Sequence, residues 1–232
     1  MKFSAPLQQA TLLKRYKRFL IDAKLPNGSE VIAHCANPGS LMGLAKPGSE
    51  IWISPNTNPK AKLDWRWEMI RVGEHLVGIN TSHPNKIAEE ALNAEKIAQL
   101  TGYDMIRREV KYGENSRIDL LLQDSAKPDC YVEIKSVTLR RTDCAEFPDS
   151  VTKRGVKHLV EMTNMVAHGN RAVMLYIVQR GDCASFSIAD DIDPAYAQSF
   201  AQATANGVEA ICYDCNMSIN GIEIGGQIPI LR

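Results

Sequence analysis

Three residues in the middle of the chain have the types and spacing of a metal-dependent phosphodiesterase site. Glu133 and Lys135 lie in an apolar run over residues 131–139, and Asp119 stands at the head of an earlier apolar run. Because side chains alternate across a strand, Glu133 and Lys135 project from one face, about 7 Å apart. Two carboxylates suit Mg²⁺ or Mn²⁺, and a lysine orients or activates the attacking water and balances charge on the phosphate.

The Glu-x-Lys tripeptide alone is weakly specific, because it arises by chance and is commonly a solvated ion pair on an exposed strand. Its surroundings favour the metal site. Residues 118–122 and 131–137 predict two strands, joined through a turn at Lys127-Pro128-Asp129. An acid on one strand and Glu-x-Lys on its hairpin partner would converge on one ion.

Composition describes an ordinary globular chain with an uneven charge distribution. The 232 residues have a formal net charge of zero, which argues against a strongly basic coat for nucleic acid. Residues 1–71 nevertheless carry six excess positive charges, and residues 182–232 carry six excess negative charges. This asymmetry permits a basic face for a polyanion, or else the two ends neutralise one another in the fold.

No targeting segment is visible, and no apolar stretch is long enough to span a bilayer, so a cytoplasmic location without membrane contact is expected. The six cysteines lack the dense spacing of a disulfide scaffold and are expected to be reduced thiols. The one CxxC, Cys212 to Cys215, has no second ligand pair at a zinc spacing. The sequence leaves the oligomeric state open.

The first 80 residues predict short strands with little helix. The strands are expected over residues 19–25, 31–35, 50–54, 67–72 and 76–80, with a hairpin turn over residues 26–29. About five such strands suggest a small barrel, of which the oligonucleotide-binding type is one candidate.

Aromatic residues and cations alternate through this segment. The aromatics are Tyr16, Phe19, Trp52, Trp65 and Trp67, and the cations include Lys14, Arg15, Lys17, Arg18, Lys60, Lys62 and Arg66. Bases stack on aromatic rings while cations follow phosphates, so Arg15, Lys17, Arg18, Lys62 and Arg66 are predicted to bind nucleic acid. The alternative is that most of these aromatics are barrel core.

The pattern changes near residue 82, which divides the chain into a barrel domain, 1–82, and an α/β domain, 83–232. Helices are expected over 84–100, 152–167 and 194–205, and strands over 103–111, 118–122, 131–139, 172–179 and 208–213. Residues 217–231 predict a terminal hairpin that turns at Gly225-Gly226. The fold class is therefore α/β (α+β).

The helix after the Glu-x-Lys strand begins with cations. Lys153, Arg154 and His158 fall in its first two turns, where cations and free amide donors suit a phosphate, and Arg117 adjoins the acidic strand. A solvated basic face is the alternative. On the earlier helix Glu90 or Glu95 would extend the acidic cluster, and periodicity does not decide which points inward. Serine-elbow, phosphate-loop and dinucleotide fingerprints are not found.

A series of short motifs resembles the sugar fermentation stimulation protein A family. They include Asn37-Pro38-Gly39, Pro84-Asn85, Arg107-Arg108-Glu109-Val110, Arg117-Ile118-Asp119, Val132-Glu133-Ile134-Lys135-Ser136, Phe147-Pro148-Asp149 and Gln179-Arg180. The resemblance implies a DNA-binding protein linked to sugar, notably maltose, metabolism. It also implies an oligonucleotide-binding-like barrel followed by a restriction-endonuclease-like mixed-sheet domain flanked by helices. Lys17, where asparagine is expected, is a small departure.

The resemblance places the nuclease pattern on Asp119, Glu133 and Lys135, and points to Glu90 as a third metal ligand and Gln179 as a further candidate. The resulting hypothesis is a DNA-binding protein with a Mg²⁺- or Mn²⁺-dependent nuclease site, in which Arg154 stabilises the developing charge. The alternatives are a non-catalytic regulator of carbohydrate-utilisation genes on a nuclease scaffold, and an interaction module whose acids are structural.

Overall fold

The first third of the chain closes into a barrel in a computed structural model that describes residues 1–58, 60–114 and 116–231. Its strands are β1 (Gln8–Tyr16), β2 (Leu20–Lys24), β3 (Glu30–His34), β4 (Glu50–Pro55), β5 (Trp65–Val72) and β6 (His75–Gly78). The order is β3-β2-β1-β4-β5, and a parallel pairing of β3 with β5 closes the five strands, while β6 adds to β5. The predicted small barrel is confirmed.

Alternating apolar side chains fill this barrel. Leu12, Ile21, Ile51, Ile53 and Trp67 are fully buried within it. The sequence prediction missed β1, because glutamines and cations on its outward positions obscure the inward alternation of Ala10 and Leu12. The predicted turn after β2 is confirmed, with Gly28 at a φ of 88°.

The second unit is a mixed sheet with helices on both faces. Its helices are α1 (His83–Asn93), α2 (Lys153–Ala167) and α3 (Pro194–Ala205). The six main strands are β7 (Met105–Tyr112), β8 (Ser116–Asp124), β9 (Lys127–Val137), β12 (Arg171–Val178), β14 (Glu209–Ser218) and β15 (Gly221–Gln227), in the order β15-β14-β12-β9-β8-β7. A small side sheet contains β10 (Leu139–Arg140), β11 (Cys144–Phe147) and β13 (Ser185–Ile188). The predicted α/β (α+β) class is confirmed.

Two apolar clusters hold the helices against the sheet. Ile87 of α1 packs with Val132 and Leu175 on one face, and Leu159 of α2 packs with Met174 on the other. The central strands β9 and β12 pair in parallel and are therefore covered on both faces. The side-sheet strands were not predicted, because two to four residues of mixed polarity carry no period.

Three sequence predictions fail at the ends of elements. The turn expected at Lys127-Pro128-Asp129 lies at residues 125–126 instead, because β9 already begins at Lys127. The helix expected over 84–100 stops at Asn93, where Glu95 adopts a φ of 54° and the Lys96 N–H donates to the Ala91 carbonyl. The apolar pattern continues because Ile97 and Leu100 still reach the core.

The terminal hairpin does not turn at Gly225-Gly226, since β14 ends at Ser218 and β15 begins at Gly221. Both glycines lie inside β15, beside a register shift in the paired strand β14. The Gly226 N–H donates to Asp214 Oδ1 at 2.6 Å, and a Cβ on Gly225 would overlap the same carboxylate. The glycines therefore serve a close approach between strands.

Several contacts join the two units. The Gly78 N–H donates to the Gln179 carbonyl, and the Leu41 N–H donates to Asp149 Oδ2. The Met1 amine donates to the Ile222 carbonyl at 2.6 Å, so the first residues pack on the second unit. The division into 1–82 and 83–232 stays a prediction. Among the described residues no helix is long and apolar enough to cross a membrane.

Candidate metal centre and nucleic-acid surface

Asp119 lies where β8 and β9 separate. The register pairs between these strands run from Asp124 to Leu120, which lies opposite Val132. One residue further, Asp119 Oδ2 accepts the Ile134 N–H at 2.7 Å, so the side chain takes the place of a strand carbonyl. Its other oxygen, Oδ1, accepts Asn85 Nδ2 at 2.9 Å. Both oxygens are thereby fixed in orientation at the opening between the strands.

Glu133 and Lys135 project from one face of β9, as predicted. Lys135 Nζ lies 2.7 Å from Glu133 Oε1, and the two side chains are only 14% and 4% exposed. Glu133 Oε2 is buried and has no hydrogen bond of acceptable geometry, although His158 Nδ1 lies 3.1 Å away. An under-coordinated buried carboxylate oxygen is costly for a structural residue and is suited to a cation.

The two acids have opposite pKa shifts. Burial and the neighbouring charge of Glu133 raise the pKa of Asp119 to about 6, against the opposing effect of its hydrogen bonds and Lys135. Burial alone would raise the pKa of Glu133, but the Lys135 ammonium and the contact with His158 bring it below its usual value. One carboxylate is thus held ionised, and the other titrates near neutrality.

The donor set fits a hard divalent cation that keeps part of its water. Two carboxylates within electrostatic range of one another and one unpartnered buried oxygen are oxygen ligands of the kind Mg²⁺ prefers. No three His, Cys, Asp or Glu side chains within residues 1–58, 60–114 and 116–231 form a set that could hold a metal ion. Mg²⁺ is commonly held by one or two carboxylates with several waters, so the pair suffices.

The structure does not bring Glu90 to this pair. Glu90 Oε2 lies 2.7 Å from the Met1 amine, and its Oε1 lies 3.8 Å from Lys86. The α1 residue that contacts Asp119 is Asn85, which belongs to the Pro84-Asn85 motif and was not predicted to be a site residue. Glu89, four residues after Asn85 on the same face, pairs with Arg108 of β7. Glu95 lies beyond the end of the helix.

His158 is buried inside the second unit, with a side chain only 2% exposed. Its Nε2 receives the Arg154 Nε–H at 3.1 Å, and its Nδ1 lies 3.1 Å from the Tyr112 hydroxyl. The predicted face of Lys153, Arg154 and His158 therefore divides, with the first two exposed at the start of α2 and the third enclosed. Arg117 is exposed, and its Nη1 is 3.5 Å from the Glu109 carbonyl.

The cations predicted on the barrel fall into two groups, one structural and one exposed. The Arg15 guanidinium donates to four carbonyls, those of Arg18, Asn37, Gly39 and Ser40, and so braces a loop. Arg18 has no side-chain partner among the described residues and lines a cavity of about 700 Å³ between the two units. Thr81, Ile134, Ser136, Thr138 and Ser150 also line this cavity, which reaches the face of β9 that carries Ile134 and Ser136.

Of the three other predicted barrel cations, two are exposed and one is hydrogen-bonded within the barrel domain. Lys17 is exposed beside Arg18 in a left-handed turn, with a φ of 49°. Lys62 is exposed ahead of β5, and Arg66 Nη2 donates to Asn56 Oδ1 at 2.9 Å.

The barrel aromatics follow the alternative that the sequence left open. Trp67 is fully buried, and Trp52 is 6% exposed under Arg71. Phe19 is 45% exposed and stacks on His34 with a centroid distance of 6.4 Å. Phe19 is therefore the barrel aromatic whose exposure suits a base.

Gln179 lies between the units and is fully buried. Its Nε2 donates to Ser136 Oγ at 2.9 Å and to the Asn80 carbonyl at 3.3 Å. These contacts tie the end of β12 to β9 and to the segment leaving the barrel.

Comparison with known proteins identifies the family. Residues 13–79 match the model of the SfsA N-terminal OB domain, and residues 82–221 match that of the sugar fermentation stimulation protein RE domain. The sugar fermentation stimulation protein homolog of Paramagnetospirillum magneticum is 58% identical over 230 residues, 99% of this chain and 98% of its own length. The homolog of Roseobacter denitrificans is 54% identical over 233 residues, 99% of each chain.

A solved structure agrees over the whole length. The structure of Pyrococcus furiosus SfsA in complex with Ca²⁺ is 27% identical to this chain, with a TM-score of 0.91, and the match covers 100% of this chain and 98% of that one. The barrel and the mixed-sheet domain are thus the OB and restriction-endonuclease-like domains that the resemblance implied. The chain belongs to the sugar fermentation stimulation protein family.

Proposed function

We propose that this protein binds DNA and hydrolyses phosphodiester bonds with Mg²⁺ or Mn²⁺ at Asp119, Glu133 and Lys135. The observation that carries the proposal is the pair of buried Glu133 and half-buried Asp119 at the opening between β8 and β9, in which Glu133 Oε2 has no hydrogen bond. A purely structural acid at this depth would be expected to have its oxygens satisfied.

Each residue has a role that follows from its contacts. Asp119 and Glu133 would hold the divalent ion, which when bound supplies Lewis-acid polarisation of the phosphate and a more acidic water. Lys135, 2.7 Å from Glu133 Oε1, orients the attacking water and balances charge. Asn85 fixes the rotation of Asp119, and the exposed part of the Arg154 guanidinium stabilises charge developing on the phosphate.

The family relationship supports a divalent cation. The related Pyrococcus furiosus protein was solved in complex with Ca²⁺, an oxygen-ligand cation like Mg²⁺. Cations near the cavity between the units suit the DNA backbone. Arg18 lines the cavity from the barrel side, and the exposed Lys153 and Arg154 follow Thr152, which also lines it. We expect this activity in the cytoplasm, in a protein whose relatives are named for sugar fermentation.

The direct test is cleavage of single-stranded DNA, duplex DNA and RNA with and without Mg²⁺ or Mn²⁺. Wild-type protein is expected to cleave DNA only with the metal, and Lys135→Ala and Asp119→Asn are expected to be inactive. Lys127→Ala, at the exposed start of the same strand, is the matched control and should cleave normally.

Two results would contradict the proposal. Equal cleavage by wild type and both site variants would assign the activity to a contaminant. Salt-dependent DNA binding by wild type without cleavage under any metal condition would favour the non-catalytic regulator of carbohydrate-utilisation genes.

A further inference from the structure

The buried face of α2 places a histidine next to Glu133 of the acidic pair. His158, with a side chain 2% exposed, lies between Glu133 of β9 and Tyr112 of β7. A side chain this buried does not reach a nucleic-acid backbone, so any role in the site must act through the residues that it contacts. Those neighbours include the acid that Lys135 also contacts.

The protonation of the His158 ring follows from its partners. The Arg154 guanidinium has only donors, and its Nε–H points at His158 Nε2 over 3.1 Å. Nε2 must therefore present a lone pair, since a proton there would oppose another proton. The neutral ring carries its single hydrogen on Nδ1, which faces Glu133 Oε2 and the Tyr112 hydroxyl, each at 3.1 Å.

Glu133 is consequently placed between two N–H groups, one at each oxygen. Lys135 Nζ lies at Oε1 and His158 Nδ1 lies at Oε2. The contact with Nδ1 lacks hydrogen-bond geometry, so the N–H attracts the carboxylate without saturating it. The terminal torsion angle of a glutamate side chain has a broad distribution, and a fixed N–H dipole beside one carboxylate oxygen restricts that angle.

We infer that His158 is a positioning residue, which fixes the rotation of the Glu133 carboxylate for metal binding and is itself fixed as the Nδ1–H tautomer by Arg154. This role rests on the proposed function, because it serves the metal-binding duty of Glu133. His158 acts through Glu133 and has no contact with nucleic acid. Arg154 thereby couples the exposed start of α2 to the buried acid.

The test measures binding of Mn²⁺ alone to the full chain by titration calorimetry. His158→Phe keeps a ring of similar size but removes both nitrogens, and is expected to weaken Mn²⁺ binding about 10- to 100-fold. His158→Asn restores an N–H near Nδ1 and should bind Mn²⁺ within about threefold of wild type. His168→Phe, at the exposed end of the same helix, is the matched control and should bind as wild type does.

A second measurement separates positioning from a contact with nucleic acid. DNA binding in EDTA, followed by fluorescence anisotropy, is expected to be unchanged in both His158 variants. Weaker DNA binding with unchanged Mn²⁺ affinity would return His158 to the nucleic-acid surface and overturn the inference. Thermal unfolding checks that each variant is folded.

The possible failures are distinguishable. If wild type does not bind Mn²⁺, the proposed function fails, and the positioning role fails with it. If wild type binds Mn²⁺ and folded His158→Phe binds it equally well, the positioning role alone fails. Should His158→Phe not fold, the exposed Arg154→Met decides, because loss of the Nε–H is expected to weaken Mn²⁺ binding several-fold, and unchanged binding overturns the inference.

Discussion

A glutamate in the barrel and a glutamate in the second domain are buried to nearly the same depth, and their carboxylates are satisfied differently. Glu68 in the barrel and Glu133 in the second domain have side chains 3% and 4% exposed. Glu68 accepts Ser54 Oγ at 2.6 Å and Asn80 Nδ2 at 2.9 Å, and lies 2.7 Å from His83 Nε2. Glu133 has Lys135 at one oxygen and no hydrogen bond at the other.

The difference separates a structural acid from a candidate metal ligand. In Glu68 both oxygens have hydrogen-bonding partners, so the residue ties β5 to the segment that enters α1. In Glu133 one buried oxygen keeps its lone pairs open, which costs stability unless a cation uses them. Burial of an acid is therefore less informative than the count of its partners.

The largest expected effect is on cleavage. Glu133→Gln should lower Mg²⁺-dependent DNA cleavage about 10³-fold, because the amide loses the charge that holds the ion. Glu68→Gln should leave cleavage within about threefold of wild type, since Glu68 lies outside the site. Initial rates on labelled DNA measure both, and comparable losses in the two variants would abolish the distinction.

The next effect concerns the pH dependence of stability in metal-free buffer. The pKa of Asp119 is about 6 in the folded state against 3.8 unfolded, so its folded carboxyl keeps a proton that the unfolded chain releases between these values. Stability from this group is full below pH 3.8 and is lost as the pH rises through 6. Asp119→Asn should therefore remove an ionisation cost of up to about 3 kcal/mol at pH 7.5. About 1–3 kcal/mol of this gain is offset, because the amide N–H would face the donor of Ile134 or Asn85.

Urea unfolding in EDTA at several pH values measures this effect. The stability of Asp119→Asn relative to wild type should fall towards acid pH, where wild-type Asp119 is already neutral in both states. Glu68 has the opposite sign, because its three partners outweigh burial and lower its pKa, so its contribution is present above its usual pKa and is lost as the pH falls. A gain independent of pH would refute the assignment to Asp119 ionisation.

A smaller loss of stability is expected at Glu68. Glu68→Gln should cost about 1–3 kcal/mol at neutral pH, because an amide N–H would face the donor of Ser54 or Asn80. Glu30→Gln, at an exposed position on β3, is the control and should change stability by less than about 0.5 kcal/mol. Equal unfolding midpoints for the two variants would show that the hydrogen bonds of Glu68 do not stabilise the folded state.

The smallest expected effect is on DNA binding, and it distinguishes a barrel arginine without a side-chain partner among the described residues from one whose hydrogen bonds are satisfied by the protein. Arg18→Ala should weaken DNA binding less than about tenfold and reduce the salt slope by about 1, as expected for one phosphate contact. Arg15→Ala should instead lower stability, because four carbonyls lose their donor. Anisotropy titrations at several salt concentrations measure DNA binding by both variants. A larger loss of DNA affinity in folded Arg15→Ala than in Arg18→Ala would make Arg15, and not Arg18, the DNA contact.

Much of the fold could be predicted because its signals are local. Alternation in β2, the Asn-Gly turn after it and the apolar run around Glu133 each depend on neighbouring residues. The predictions failed where distant residues act: Gly225 is required by Asp214 across a strand pair, and Ile97 is buried although the helix has ended.

Residue types and strand positions of Asp119, Glu133 and Lys135 were determined by the sequence itself, since the two-residue alternation of a strand needs no tertiary information. Which partners each charge receives was decided only by the tertiary structure. Asn85 reaches Asp119 across 34 residues, and Ser54 reaches Glu68 across 14. A hydrogen bond depends on distance in space and not along the chain, so the saturation of Glu68 and the open oxygen of Glu133 emerge only on folding.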